Sequence, residues 1–270
     1  MPAPAVDVQN RYRLLGLLGE GGFGHVYEAW DALLCRRIAV KRLKARPAGH
    51  RPDRLVREAC FGASLKHACF VKVLSVEGNG PLQSIIMELV EGVTLSQLTR
   101  QHALGLAMAI DIVGQVAEAM EEAHAAGLIH GDIKPSNLML DTSGRARILD
   151  FGQASHAGVP GAGLFGDDEP SGTVAYLAPE RLWGERPSEQ SDVYSLGAVL
   201  YELIVGKRPF AELEGLALAA AHVQSSSACW PFPDQIPRPV AALVRALTAR
   251  DLGQRLPSMR AVRESIRCGS

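Results

Sequence analysis

An acidic residue, a lysine and an asparagine lie close together in the segment 130–137, which reads His-Gly-Asp-Ile-Lys-Pro-Ser-Asn. Phosphoryl transfer requires a carboxylate that orients the attacking hydroxyl, a cation that takes up developing charge, and an oxygen ligand for Mg²⁺. Asp132, Lys134 and Asn137 are residues of these three types. The segment is therefore a candidate for phosphoryl-transfer chemistry. The alternative is a surface turn that contains His, Asp and Asn by chance, and the other motifs of the chain decide between the two.

Apolar stretches on both sides of this segment are expected to hold it in place. From Leu106 to Ala126 apolar residues recur at helical spacing, and Gly127 is typical of the residue that follows a helix. Residues 138–140, Leu-Met-Leu, form an apolar triplet on the other side. We therefore expect a loop between two ordered elements, which is where catalytic groups are commonly found.

Three glycines near the N terminus form a second pattern. Gly19, Gly21 and Gly24 have the spacing G-x-G-x-x-G, which dinucleotide-binding folds share. In those folds the third glycine opens a helix, whereas residues 26–30, Val-Tyr-Glu-Ala-Trp, are β-branched and aromatic. The pattern therefore predicts two strands joined by a glycine loop whose backbone amides can cover phosphates. A plain glycine-rich hairpin turn is the alternative.

A lysine ends the next predicted strand. Residues 37–41 read Arg-Ile-Ala-Val-Lys, and a lysine near a strand end is most often solvated. Glu58, in the amphipathic segment 54–64, is a candidate partner for Lys41. Gly62 lies one turn after Glu58 on the same face and weakens a helix by about 1 kcal/mol relative to alanine. We therefore expect this helix to be mobile.

An aspartate follows the hairpin predicted for residues 140–149. It begins the sequence Asp150-Phe151-Gly152. A carboxylate directly after an apolar strand is costly to bury unpaired, so we expect Asp150 to face a cleft and bind a metal ion. Residues 153–170 are rich in Gly, Ala and Pro, which is typical of a mobile loop. The sequence Ala-Pro-Glu follows at 178–180.

Together these motifs resemble those of protein kinases, in that family's order. The segment 130–137 resembles the catalytic loop H-R-D-x-x-x-x-N, with Gly131 in place of the arginine. The resemblance implies an α+β, bilobal protein kinase fold that binds ATP and Mg²⁺, or Mn²⁺, in a cleft between its lobes. The implied domain, 10–267, has a β-rich N-terminal lobe with one regulatory helix (10–86), a hinge (87–92) and a mainly helical C-terminal lobe (93–267).

The resemblance also implies a role for individual residues. The catalytic residues would be Asp132, Lys134, Lys41 and Glu58, and the metal ligands Asn137 and Asp150. The nucleotide-binding residues would be Gly19, Gly21, Gly24, Val26, Ala39, Lys41, Glu88, Val90 and Met139. Of these, the Glu88 carbonyl and the Val90 amide would bind the adenine edge through the backbone.

Further residues are expected to support the site. Asp192 resembles the aspartate that holds the backbone of the catalytic loop, and Arg255 is placed like the arginine that pairs with Glu180. An exposed arginine after a helix is the alternative for Arg255. His124 falls on the predicted helix before the loop, where a packed or surface histidine is the expected reading.

Residues with a hydroxyl side chain between Asp150-Phe151-Gly152 and the Ala-Pro-Glu motif at 178–180 are expected to be regulatory. Thr173 is predicted to contact Asp132 and Lys134 through its hydroxyl, and phosphorylation is expected at Ser155 or Ser171. Because the family's arginine is replaced by glycine, phosphorylation is not expected to act through a cation beside the catalytic aspartate.

Lys134, two positions after the catalytic aspartate, resembles the class of kinases that phosphorylate serine and threonine. The implied function is transfer of the ATP γ-phosphoryl group to protein substrates, with autophosphorylation. Two alternatives remain open. A small-molecule phosphotransferase of the aminoglycoside-kinase type also uses an H-G-D loop, as Gly131 gives here. A pseudokinase that only binds nucleotide is disfavoured, because the charged residues that the chemistry requires are all present.

The composition disfavours several other classes of protein. The 270 residues are 47% hydrophobic and 21% charged, with a formal net charge of −1, which disfavours binding to nucleic acids or to anionic membranes. No membrane segment or signal peptide is predicted. Five scattered cysteines without a C-x-x-C pair indicate a reduced, cytoplasmic protein. Protein substrates, and contacts in a homodimer, are the expected partners, and the chain is expected to be one domain of a longer protein.

Overall fold

Most strands lie before residue 95, and most helices lie after it. The computed structural model describes residues 11–21, 24–43, 53–78, 83–100, 102–152, 154–156, 174–224 and 230–269. These residues divide into two units, the first taken from 1–66, 70–91 and 150–152, and the second from 67–69, 92–149 and 153–270. The predicted α+β class is confirmed, because the first unit is rich in strands and the second in helices.

The first unit is built on a five-stranded antiparallel sheet in the order β1-β2-β3-β5-β4, with one helix. Its elements are β1 (Tyr12–Gly21), β2 (Gly24–Asp31), β3 (Arg36–Leu43), α1 (Asp53–Ser64), β4 (Val73–Glu77) and β5 (Ser84–Glu88). β1 and β2 pair antiparallel, and Gly21 lies opposite Gly24. The two predicted strands are therefore confirmed, residues 22 and 23 between them lie outside the described residues, and the helix that a dinucleotide-binding fold requires after Gly24 is absent from the described residues.

The two faces of this sheet have different partners. Val40 belongs to a buried cluster with Tyr12, Ala29, Ile38 and Ile86 on one face. Because side chains alternate along a strand, Lys41 points to the opposite face, where it is in register with Ile85. Ile85 packs against Ala59 of α1. The alternation of β3 therefore brings Lys41 to the face that α1 covers.

The second unit contains seven helices among the described residues, two short sheets and two 3₁₀ turns. Its helices are α2 (Leu95–Thr99), α3 (Leu106–Ala125), α4 (Pro179–Leu182), α5 (Glu189–Val205), α6 (Gly215–Gln224), α7 (Arg238–Leu247) and α8 (Met259–Gly269). Its strands are β6 (Gly92–Thr94), β7 (Leu128–Ile129), β8 (Leu138–Asp141), β9 (Ala146–Ile148) and β10 (Ser155–His156). The 3₁₀ turns are Pro135–Asn137 and Val174–Tyr176.

Helix α5 lies at the centre of the second unit. It is buried along nearly its whole length, begins with a capping box at Ser188 and Ser191, and ends at Gly206, whose φ of 81° only glycine adopts readily. It packs very closely against α7, because a Cβ on Gly197 would lie 2.5 Å from the Cβ of Leu247. This rigid helix carries Asp192 in its first turn.

The loop 130–137 lies between ordered elements, as predicted. α3 ends at Ala125 and is followed by Gly127 with φ 74°, and β8 begins at Leu138. A capping box formed by Thr94 and Gln97 begins α2. No described helix has both the length and the apolar character to cross a membrane.

Candidate active site

The backbone of the loop 130–137 is held by one buried carboxylate. Asp192 is 1% exposed, and its two oxygens accept hydrogen bonds from the amides of His130 and Gly131, both at 2.9 Å. Burial alone would raise the pKa of Asp192, but hydrogen bonds from His124 and from the Gly131 amide hold it below its ordinary value. The carboxylate therefore stays charged and fixes the start of the loop.

The glycine at position 131 suits the backbone conformation of the loop. Gly131 has φ 76°, in the left-handed region that costs an L-residue about 1–2 kcal/mol. The residue that departs from H-R-D therefore occupies a position where a side chain would be strained.

Asp132, Lys134 and Asn137 meet in the second unit. The Asp132 carboxylate lies 2.8 Å from the Lys134 ammonium and accepts a hydrogen bond of 2.9 Å from the Asn137 amide nitrogen. The same nitrogen donates to the Asp132 carbonyl at 2.9 Å, which ties the side chain to the loop backbone. Asp132 and Asn137 are mostly buried, and Lys134 is more exposed. The arrangement presents an oriented carboxylate with a cation beside it.

Lys41, Glu58 and Asp150 meet in the first unit. The Lys41 ammonium lies 2.6 Å from a carboxylate oxygen of Glu58 and 2.6 Å from one of Asp150, so the predicted pairing of Lys41 with Glu58 is confirmed. Burial alone would lower the pKa of Lys41, but the negative charges of Asp150 and Glu58 raise it above its ordinary value. Lys41 is therefore a permanent cation held by two carboxylates.

Asp150 has an unusual backbone. Its φ is 59°, which is rare for a residue other than glycine, and its carboxylate accepts a hydrogen bond of 2.9 Å from the Gly152 amide. Such strained residues cluster at functional sites. Asp150 is the most exposed of the three charged groups, with 30% of its side chain accessible. Phe151 packs on Phe70, with ring centroids 5.6 Å apart.

The residues expected to bind nucleotide are divided between the two units. Gly19 and Val26 face each other across β1 and β2, and Ala39 pairs with Met87 across β3 and β5. Gly21 and Gly24 close the β1–β2 hairpin, and Glu88 ends β5, where its amide donates to the Lys72 carbonyl. Val90 is half-buried after β5. Met139 lies in β8 of the second unit, opposite Thr94.

The glutamate of the Ala-Pro-Glu motif is anchored. Arg255 donates two hydrogen bonds to the carboxylate of Glu180, at 2.6 and 3.0 Å, and also binds the carbonyls of Ala249 and Gln190. The predicted pair is confirmed, and the exposed-arginine alternative is wrong, because the Arg255 side chain is fully buried.

The expected phosphorylation site at Ser155 does not fit the structure. Ser155 is 7% exposed, pairs with Ile129 between β10 and β7, and has a buried hydroxyl without a hydrogen-bond partner in the part of the chain that is described. In this conformation another active site could not reach the hydroxyl. Ser171 and Thr173 lie outside the described residues.

One residue of the site was missed. His124 was expected to be only a packed or surface histidine, but its Nε2 lies 2.9 Å from Asp192, the residue that holds the loop. Its place on the same face of α3 as the buried residues Met120 and Ala117 was the available signal. That pattern identifies a buried histidine and does not identify its partner, which is 68 positions away.

Comparison with known proteins agrees with this geometry. A model of the protein kinase domain matches residues 12–265, and the chain belongs to the protein kinase family. It is 37% identical over 265 residues to the serine/threonine-protein kinase PknA of Mycobacterium tuberculosis, covering 95% of this chain and 61% of that protein.

Other bacterial relatives are similar at comparable levels. The chain is 37% identical over 225 residues to serine/threonine-protein kinase PknB of Mycolicibacterium smegmatis, covering 80% of this chain and 36% of the relative. It is 32% identical over 248 residues to serine/threonine-protein kinase PrkC of Bacillus subtilis, covering 90% and 38%. The chain thus spans 61% of the length of PknA and under two fifths of the length of the other two relatives.

Proposed function

We propose that this chain is an ATP-dependent serine/threonine protein kinase, which transfers the γ-phosphoryl group of ATP to hydroxyls of protein substrates and of itself. The observation that carries the proposal is the Asp132 carboxylate, held between Lys134 at 2.8 Å and Asn137 at 2.9 Å on a loop fixed by Asp192. An oriented carboxylate beside a cation is what transfer to a hydroxyl requires.

We assign to Asp132 the role of orienting the acceptor hydroxyl. The hydroxyl donates a hydrogen bond to the Asp132 carboxylate, which places the hydroxyl oxygen for in-line attack on the γ-phosphorus. As the new P–O bond forms and the bond to the β,γ-bridging oxygen of ATP breaks, the hydroxyl proton passes to Asp132. Lys134 lies beside the carboxylate and offsets negative charge on the transferred group.

Most of the residues assigned to nucleotide binding belong to the first unit, and Met139 belongs to the second. Lys41 stays charged between Glu58 and Asp150 and is therefore able to bind the α- and β-phosphates as a point cation. The amides of the β1–β2 hairpin at Gly19, Gly21 and Gly24 cover the phosphates. Apolar contacts to adenine are assigned to Val26, Ala39 and Met139, and backbone hydrogen bonds to the Glu88 carbonyl and the Val90 amide.

The donor set fits a hard divalent cation. Asn137 uses its amide nitrogen for both of its hydrogen bonds, so its amide oxygen is the atom suited to a metal, and Asp150 has the most accessible of the first unit's carboxylates. Oxygen ligands of this kind suit Mg²⁺ or Mn²⁺. When bound, the ion neutralises phosphate charge.

Proteins are preferred over small molecules as acceptors. Gly131 is the feature shared with aminoglycoside-type enzymes. Its φ of 76° favours glycine at this position whatever the substrate is, so the glycine does not indicate a small-molecule acceptor. The buried pair of Glu180 and Arg255 anchors the Ala-Pro-Glu motif, which is the segment expected to support a peptide substrate. The relatives' names, which are those of serine/threonine-protein kinases, support the same choice. The use of ATP leads us to infer a cytoplasmic location.

The test compares two acceptors in one assay. Purified protein is incubated with radiolabelled ATP and Mg²⁺, together with either a basic protein substrate or an aminoglycoside, and the labelled residues are identified after acid hydrolysis. We expect phosphoserine and phosphothreonine and no labelled aminoglycoside. The Asp132→Asn variant is the control, since it keeps the size of the side chain. Label on the aminoglycoside alone, or equal transfer by Asp132→Asn, would refute the proposal.

A further inference from the structure

Helix α1 lies unusually close to the sheet at one glycine. A Cβ built on Gly62 would lie 2.8 Å from the Cγ2 of Val73 in β4 and 3.7 Å from a ring carbon of Phe151. Carbon atoms in ordinary contact are about 3.5–4.0 Å apart. Any side chain at position 62 would therefore force Val73 or the helix to move.

The neighbouring packing leaves little freedom for that movement. Ala59, one turn before Gly62, is 4% exposed and packs with Ile85, Val73 and Val76. Two small residues of α1, Ala59 and Gly62, thus face the sheet. Val73 is β-branched, so few side-chain rotamers are open to it, and its backbone is paired with Met87 of β5. The helix is then the element expected to shift.

The same helix carries Glu58. Positions 58 and 62 lie one turn apart on one side of α1, and Glu58 reaches Lys41 at 2.6 Å in an almost fully buried contact. A hydrogen bond of that length does not survive a shift of about one ångström, because its strength falls steeply with distance. The separation of α1 from β4 therefore controls whether Lys41 has its glutamate.

We propose that Gly62 is a positioning residue, whose missing side chain lets α1 lie close enough to Val73 for Glu58 to hold Lys41. The proposal rests on the proposed function, because the ion pair matters to catalysis only if Lys41 binds the phosphates. It also reverses the sequence-based reading of this glycine. The lower helix propensity of glycine is the cost of a close approach, and that approach fixes the helix in place.

The experiment combines a substitution with its compensation. Gly62→Ala adds the Cβ, Val73→Ala removes the atom that this Cβ would meet, and the double variant does both. Gly114→Ala is the matched control, because Gly114 lies in helix α3 and a Cβ there would meet nothing within 4 Å. Each protein is measured by kcat/KM for ATP and by hydrogen–deuterium exchange of the α1 peptide, and the second readout does not depend on catalysis.

We expect Gly62→Ala to lower kcat/KM by about tenfold or more and to speed exchange in α1, since small displacements near a site are amplified in rate. The double variant should return to the level of Val73→Ala in both readouts, and Gly114→Ala should match the wild type. Wild-type exchange in Gly62→Ala, or a double variant no better than Gly62→Ala, would overturn the proposal. Restored exchange in the double variant alongside unchanged kcat/KM in all variants would instead refute the role of Lys41 in the proposed function.

Discussion

The imidazole of His124 lies 2.9 Å from a carboxylate oxygen of Asp192, and both side chains are buried. The same oxygen accepts the His130 amide, so the histidine acts on the loop through one intermediate residue. The other imidazole nitrogen, Nδ1, is buried without a hydrogen-bond partner among the described groups, and the Glu189 carboxylate lies 3.8 Å from it. His124 therefore has one strong contact, and that contact leads to the catalytic loop.

Removal of His124 is expected to slow catalysis without affecting nucleotide binding. Without its partner, Asp192 is a less stable anion and a looser acceptor for the loop amides, so His124→Ala should lower kcat by about tenfold to a hundredfold. KM for ATP should stay within a few-fold of wild type. His124→Gln can keep a donor near Asp192 and should recover part of the rate. If both variants lost ATP binding in parallel with kcat, a general loss of folding would be the better explanation.

The buried charge of Lys41 should affect stability as well as activity. Lys41→Met leaves Glu58, which is 7% exposed, without its cation, and breaking a buried pair from one side costs about 3–5 kcal/mol. The variant should be inactive and less stable in urea unfolding. Lys41→Met combined with Glu58→Gln removes both charges, so stability should recover while activity stays lost. Activity of Lys41→Met within a few-fold of wild type would remove this lysine from the mechanism.

His222 should make stability depend on pH. It is 1% exposed and hydrogen bonded to Tyr194, and burial, aided by the positive charge of Arg208, lowers its pKa from 6.5 to about 4. The unfolded chain therefore binds a proton between these values while the folded protein does not. The contribution of His222 is complete above pH 6.5 and is lost as pH falls towards 4.

One variant isolates the contribution of His222 to the pH dependence of the unfolding free energy. Linkage gives a loss of about 2 kcal/mol for His222 between pH 7 and pH 5. His222→Gln cannot take up the proton, so its unfolding free energy should fall by about 2 kcal/mol less than that of the wild type over this range. Urea unfolding at the two pH values measures the difference. Parallel pH profiles for the two proteins would mean that His222 titrates normally in the folded state.

Contacts that follow a repeating pattern or a known motif could be predicted from the sequence. The pairing of Lys41 with Glu58 was one of these, because it is implied by the resemblance of residues 37–41 and the helix after them to protein kinase motifs. The contact of His124 with Asp192 was not, because it joins two helices whose relative rotation no local pattern records. The close approach of Gly62 to Val73 could not be predicted for a related reason, since helix propensity is local and this contact is tertiary.

The last prediction concerns the glycine that replaces the family's arginine. An arginine beside the catalytic aspartate would be a cation for a phosphate on the segment before the Ala-Pro-Glu motif, and Gly131 supplies none. The expected acceptor Ser171 lies outside the described residues, and Ser155 is buried. We therefore expect phosphatase-treated enzyme to phosphorylate a substrate without a lag, at close to the rate of autophosphorylated enzyme.

The φ of 76° at Gly131 determines the control for the reverse experiment. Gly131→Arg introduces backbone strain together with the charge, whereas Gly131→Ala introduces the strain alone, at about 1–2 kcal/mol. Comparing these two variants before and after phosphatase isolates the charge. Gly131→Arg should gain a dependence on phosphorylation that Gly131→Ala lacks. Strong activation of the wild-type enzyme by phosphorylation, abolished by Ser171→Ala, would contradict this prediction. It would show that another basic residue binds the phosphate in place of the family's arginine.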